Sequence, residues 1–72
     1  MNNDYKDRLV IETNELTERL SKLQNFLDFH AQGLLDVKLS GRQRDLLTKQ
    51  RDVMKEYLLI LRERCKLEGI TG

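Results

Sequence analysis

Proline and tryptophan are absent from this 72-residue chain, and cysteine and histidine occur once each, as Cys65 and His30. Each scarcity removes a class of answer. A single cysteine excludes an internal disulfide, and one histidine with one cysteine is too little for a conventional zinc site. There is no glycine-rich phosphate loop, no HExxH and no pair of carboxylates isolated on an apolar face, so the composition argues against an enzyme. No stretch approaches the ~20 apolar residues that span a bilayer, and no apolar leader opens the chain. The expectation is a protein of a reducing compartment, the cytoplasm, with no cofactor, no metal and no membrane partner.

What is present is charge and periodicity. Charged residues make up 35% of the chain, and the formal net charge is only +1. The balance is uneven: residues 1–30 hold four Lys/Arg against six Asp/Glu, and residues 31–72 hold nine against six. In the second half Asp45, Asp52, Glu56 and Glu63 alternate with the cations, which breaks any continuous basic face and argues against a nucleic-acid polymer as partner. A small anionic ligand would need fewer cations.

The glycines, at 33, 41, 69 and 72, punctuate the chain without interrupting its periodic segments. Leu9, Leu16 and Leu23 recur every seven residues, with Leu20 and Leu27 on the same face and Thr13 as the polar break. This spacing predicts a first helix over about 4–30, roughly 40 Å long, with Gly33 as terminator. In "LSGRQRDLL", Ser40 and Gln43 have the spacing of a reciprocal capping box and start a second helix over about 41–67. The connection "AQGLLDVKLS", residues 31–40, is too apolar for a free linker and reads as an elbow packed over the open end of a hairpin. The fold expected is all-α: one domain over 1–72, an antiparallel two-helix hairpin.

The second helix carries two adjacent apolar rows, Leu46–Val53–Ile60–Leu67 and Leu47–Met54–Leu61, and between them Gln50, Tyr57 and Arg64, spaced by sevens. One antiparallel neighbour can cover only part of so broad a face. A chain this short also has a marginal core. Both points predict a helical-bundle homo-oligomer.

The segment "LVIETNELTERLSKLQNF", followed by "LS", "LL", Gln50, Met54, Tyr57 and "ILRER", resembles a group of small phage proteins related to an orphan protein of a crAss-like bacteriophage. The resemblance covers about residues 9–64 and implies a phage or prophage origin and a helical hairpin, for which the expected place of action is the host bacterial cytoplasm; it brings no active-site residues with it. By architecture alone, the chain is similar to the anti-CBASS sponges, helical hairpins that oligomerise and sequester cyclic nucleotide signals without cleaving them.

The residues themselves leave two readings of the polar line. Gln50, Tyr57 and Arg64 set the register between subunits, with Arg64 paired to a glutamate of the first helix such as Glu12, Glu15 or Glu18; or, with Met54, they border ligand pockets at subunit junctions, where aromatic rings stack on bases and guanidinium groups grip phosphate. The expected function is a non-enzymatic sponge for cyclic (oligo)nucleotide immune signals, countering host defence. The alternative is an interaction module that docks its broad helical face on a host defence protein or a phage protein. His30 and Cys65 are read as structural side chains at helix flanks.

Overall fold

The computed structural model describes residues 4–70. Two α-helices, α1 (Asp4–Ala31) and α2 (Gly41–Leu67), pack as a hairpin with extents of 51 × 17 × 16 Å. The all-α hairpin expected from the heptad spacing is what the chain forms.

Both helices end by the same device. Leu34 N–H donates to Phe29 O (2.9 Å) and Gly33 N–H to His30 O (3.1 Å), while Gly33 adopts φ +72°. At the end of α2, Ile70 N–H donates to Cys65 O (2.8 Å), Gly69 N–H donates to Lys66 O (3.1 Å), and Gly69 has φ +75°. These pairs of bonds, closed by a left-handed glycine, are Schellman motifs, which satisfy carbonyls that a helix end leaves without partners. At the start of α2, Ser40 is extended and its Oγ accepts from Gln43 N–H at 3.1 Å. The cap is one-sided: the return bond from the Gln43 side chain is not made among the described residues.

Five leucines form the interior: Leu9, Leu16 and Leu27 from α1 and Leu58 and Leu61 from α2. Leu20, Met54, Cys65 and Ile70 pack around the main cluster. On α1 these are positions of the expected heptad. On α2 the phase differs from the expectation. The side turned to α1 runs through Met54, Leu58, Leu61 and Cys65, so the contact is centred one step away from the Gln50–Tyr57–Arg64 line. Leu58 carries this shift, because it lies four residues from Met54 and seven from Cys65, spacings that place all three on one helical face.

The consequence is an uncovered apolar row. Leu46, Val53, Ile60 and Leu67 are 45%, 63%, 58% and 85% exposed, although they occupy one heptad-spaced line on α2. The connection is also more open than its composition suggested. Leu35 and Leu39 are half-buried, but Leu34 and Val37 face solvent, so the elbow covers the hairpin end only in part.

Candidate functional site

The antiparallel pairing divides the hairpin surface into two flanks, one on each side of the leucine seam. Arg64, Tyr57 and Gln50 lie on one of them. Their seven-residue spacing keeps them in a line along α2, as the sequence implied.

Arg64 lies across the start of α1. Its Nη2 donates to the Tyr5 hydroxyl at 2.8 Å, and its Cζ sits 5.7 Å from the centre of the Tyr5 ring, within cation–π range. The hydrogen bond to Tyr5, then the electrostatic influence of Tyr5 and Glu12, holds the Arg64 guanidinium above its ordinary pKa. No salt bridge joins Arg64 to Glu12, Glu15 or Glu18 among the described residues. Glu15 pairs with Arg19 (3.5 Å) and Glu18 with Lys22 (3.2 Å), each one turn along α1. The partner of Arg64 is therefore a phenol and not a carboxylate, and no ion pair is made by its guanidinium among the described residues.

Tyr57, half-exposed, lines a shallow groove of about 280 Å³ with Ile11, Glu12, Glu15 and Leu16, bounded by Arg8 and Arg19. Gln50 is exposed and its amide donates to the Met54 sulfur at 3.9 Å, a weak contact within α2. Met54 is packed against the leucine cluster. The four singled-out residues are thus arranged in two ways: Tyr57 and Arg64 stand on an open flank with Tyr5, while Gln50 leans on Met54 at the edge of the core. The uncovered row of Val53 and Ile60 continues around α2 from this flank.

Tyr5 was not singled out in the sequence, and the signal for it was faint: an aromatic one turn before Leu9, in a chain with only four Phe and Tyr residues. The opposite flank was missed altogether. There Lys55, Arg62 and Lys66 of α2 face a side of α1 with no charged residue, and the clue was the uncharged series Val10, Asn14, Thr17, Ser21 and Gln24 at helical spacing within a highly charged chain.

His30 and Cys65 have structural partners. Arg44 Nη1 approaches His30 Nδ1 at 2.6 Å, so that nitrogen acts as the acceptor, and the imidazole stacks on Phe26 with ring centres 6.3 Å apart. The Cys65 sulfur lies 3.6 Å from the Thr13 hydroxyl, which also donates to Leu9 O at 2.7 Å. Among the described residues no three His, Cys, Asp or Glu side chains are grouped to hold a metal ion, and no helix is long and apolar enough to cross a membrane.

A family model described as Sequestin matches residues 3–67, both helices and the elbow between them. The chain belongs to the Sequestin family. The match takes in Tyr5, Tyr57 and Arg64 and also the cations of the opposite flank, so both surfaces of the hairpin fall within the Sequestin region. No curated protein and no solved structure gives a significant match.

Proposed function

We propose that this Sequestin-family chain is a non-enzymatic sequestering protein of phage origin, which assembles as a homo-oligomer and holds a cyclic nucleotide signal of host defence. The observation that carries this reading is the Tyr5–Arg64–Tyr57 flank. It combines two half-exposed aromatic rings with a guanidinium that makes no carboxylate ion pair among the described residues. Aromatic rings stack on bases whatever their sequence, and a guanidinium fork matches two phosphate oxygens.

The flank is open in a single hairpin, which suits capture at a junction better than capture by one chain. A second copy laid on the Leu46–Val53–Ile60–Leu67 row would wall the flank, bury apolar surface and double the number of aromatic and cationic groups around a ligand. The family name, which denotes sequestration, agrees with this reading. So does the resemblance to phage proteins and to anti-CBASS hairpins. Sequestration needs affinity and not turnover, and the residues offered here stack, pair and enclose. In the cytoplasm of an infected bacterium, an 8.5 kDa protein of this kind, present in excess over the signal, would lower the free signal below the level its effector responds to.

The same apolar row supports a second reading, a module that docks on a host defence protein or a phage protein. Native mass spectrometry of the purified protein with and without cyclic di- and trinucleotides separates the two. Sequestration predicts an oligomer that retains a cyclic nucleotide. Arg64→Lys keeps the charge and removes the planar two-donor fork, so that variant should remain assembled and lose binding by about tenfold or more. An assembled protein that retains none of the cyclic nucleotides overturns the reading in favour of docking.

A further inference from the structure

On the flank opposite Arg64, the two helices enclose a continuous groove. Its two parts, about 600 and 440 Å³, share Thr17 and Arg62 as walls. The wall from α2 carries Lys55, Arg62 and Lys66, and none of the three makes an ion pair with a carboxylate among the described residues. The wall from α1 carries no charge at all. Here three cations of α2 face uncharged groups of α1. Among the described residues no carboxylate lines the groove; at one end Asp28, one turn beyond Gln24 on α1, accepts from the Gln24 amide at 3.0 Å.

The hydrogen-bonding capacity of the α1 wall is unspent in a specific way. The Asn14 amide and the Ser21 hydroxyl have no hydrogen-bond partner among the described residues, so both can donate. The Thr17 hydroxyl donates to Thr13 O at 2.8 Å, which leaves its oxygen as an acceptor. The groove therefore offers cations, neutral donors and an acceptor along one line, with apolar patches from Val10 and Leu59 at its margins.

Spacing narrows the ligand. Arg62 and Lys66 are one turn apart on the same face of α2, about 6 Å along the axis, close enough to hold adjoining phosphates of one diphosphate. Lys55 lies seven residues before Arg62, about 10 Å away, beyond the reach of that diphosphate and level with the Ser21 and Gln24 end of α1. A bare phosphate would engage one end only. We infer that this groove is a second binding site, distinct from the Tyr57–Arg64 flank, for a small molecule bearing a diphosphate, with Arg62 and Lys66 on the phosphates and Asn14 and Ser21 donating alongside. The inference goes beyond the function proposed above and does not depend on assembly, since one hairpin supplies every group.

The probes are inorganic pyrophosphate, ADP and adenosine, titrated into the full-length protein at low salt and followed by isothermal titration calorimetry and by amide chemical shifts in ¹H–¹⁵N spectra. Saturable binding is expected for ADP, with the largest shifts at Asn14, Thr17, Ser21, Arg62 and Lys66. Equal affinity for pyrophosphate assigns recognition to the phosphates, and tighter binding of ADP assigns part of it to the nucleoside lying along the groove. Replacing both Arg62→Gln and Lys66→Gln should weaken binding by about tenfold or more. Lys49→Gln, an equal change in charge per site at an exposed position away from the groove, should leave binding unchanged. Circular dichroism confirms that the variants remain helical. No saturable binding of ADP or pyrophosphate, binding of adenosine as tight as ADP, or shifts confined to the Tyr57 flank would each overturn the assignment. These outcomes are independent of whether cyclic nucleotides are retained through Arg64.

Discussion

Arg64 donates to the Tyr5 hydroxyl at 2.8 Å and lies over the same ring, so one side chain near the end of α2 is tied to the first turn of α1, at the end of the hairpin away from residues 31–40. The contact is on the surface. A stabilising role and a ligand role make different demands on it. Tyr5→Phe removes the acceptor and keeps the ring, so the thermal midpoint should stay close to that of the unmodified protein. The guanidinium signals of Arg64 in ¹⁵N spectra should change. If instead the hairpin melts appreciably earlier, the pair is a structural tie and Arg64 is less free to meet a phosphate than proposed.

Among the described residues Leu61 is the most enclosed, with no exposed surface, and it sits in a core of five leucines. Truncating a buried leucine to alanine costs about 2–5 kcal/mol through lost burial and the cavity left behind. Marginal stability is expected for a domain this small, so Leu61→Ala should leave the chain largely unfolded at 37 °C as read by far-ultraviolet circular dichroism. Leu59→Ala, two residues earlier and 62% exposed, should change little.

The ends of the helices can be tested separately from the core. Gly33 has φ +72° and open space where a Cβ would stand, so Gly33→Ala meets backbone strain and no clash. The expected cost is about 1–2 kcal/mol, the ordinary penalty for a side-chain-bearing residue in the left-handed region. Ser40→Ala deletes the acceptor for Gln43 N–H and should cost about 0.5–2 kcal/mol. Chemical denaturation of the two variants checks both values. An unchanged midpoint for Ser40→Ala would mean that water replaces the cap without loss.

How much of this was legible in the sequence follows from how each signal is encoded. The α1 seam was readable because most of the residues between Leu9, Leu16, Leu20 and Leu27 are charged or polar, and the heptad selects one phase even where Val10 and Ile11 follow Leu9. Gly33 and Ser40 were readable because their roles are local, set by a left-handed φ and by a side chain three residues from an amide. The phase of α2 was not. Its "YLLILRERC" segment places Leu58, Leu59, Ile60 and Leu61 in succession, and four consecutive apolar residues fit several faces equally well. Which of them turns inward is decided by α1. The same limit applied to Arg64: helix-face arithmetic suggested a glutamate on α1, whereas Glu15 and Glu18 already have neighbours one turn away and the arginine reaches the Tyr5 phenol. The opposite groove was illegible because its cations and its uncharged wall come from different helices and gain meaning only when the hairpin closes.

The uncovered row on α2 yields the most consequential prediction. Leu46, Val53, Ile60 and Leu67 recur every seven residues and stand between 45% and 85% exposed in one hairpin, an apolar line that solvent does not favour and that α1 cannot reach. Seven-residue repetition is the pattern that a further helix covers, with each side chain entering a gap between its counterparts. The protein should therefore sediment as an oligomer at micromolar concentration. Ile60→Lys places a charge in the middle of the row, where the closed interface would have to bury it without a partner, and leaves the side of α2 facing α1 untouched. That variant should remain helical and dissociate. Tyr57 and Arg64 lie on the flank from which the row continues, so dissociation should also cost retention of cyclic nucleotides if their pocket is completed by a second copy. A helical monomer that still retains the ligand would place the whole site within one hairpin. A wild-type protein that stays monomeric at all accessible concentrations would leave the row free for a different protein, which is the docking reading.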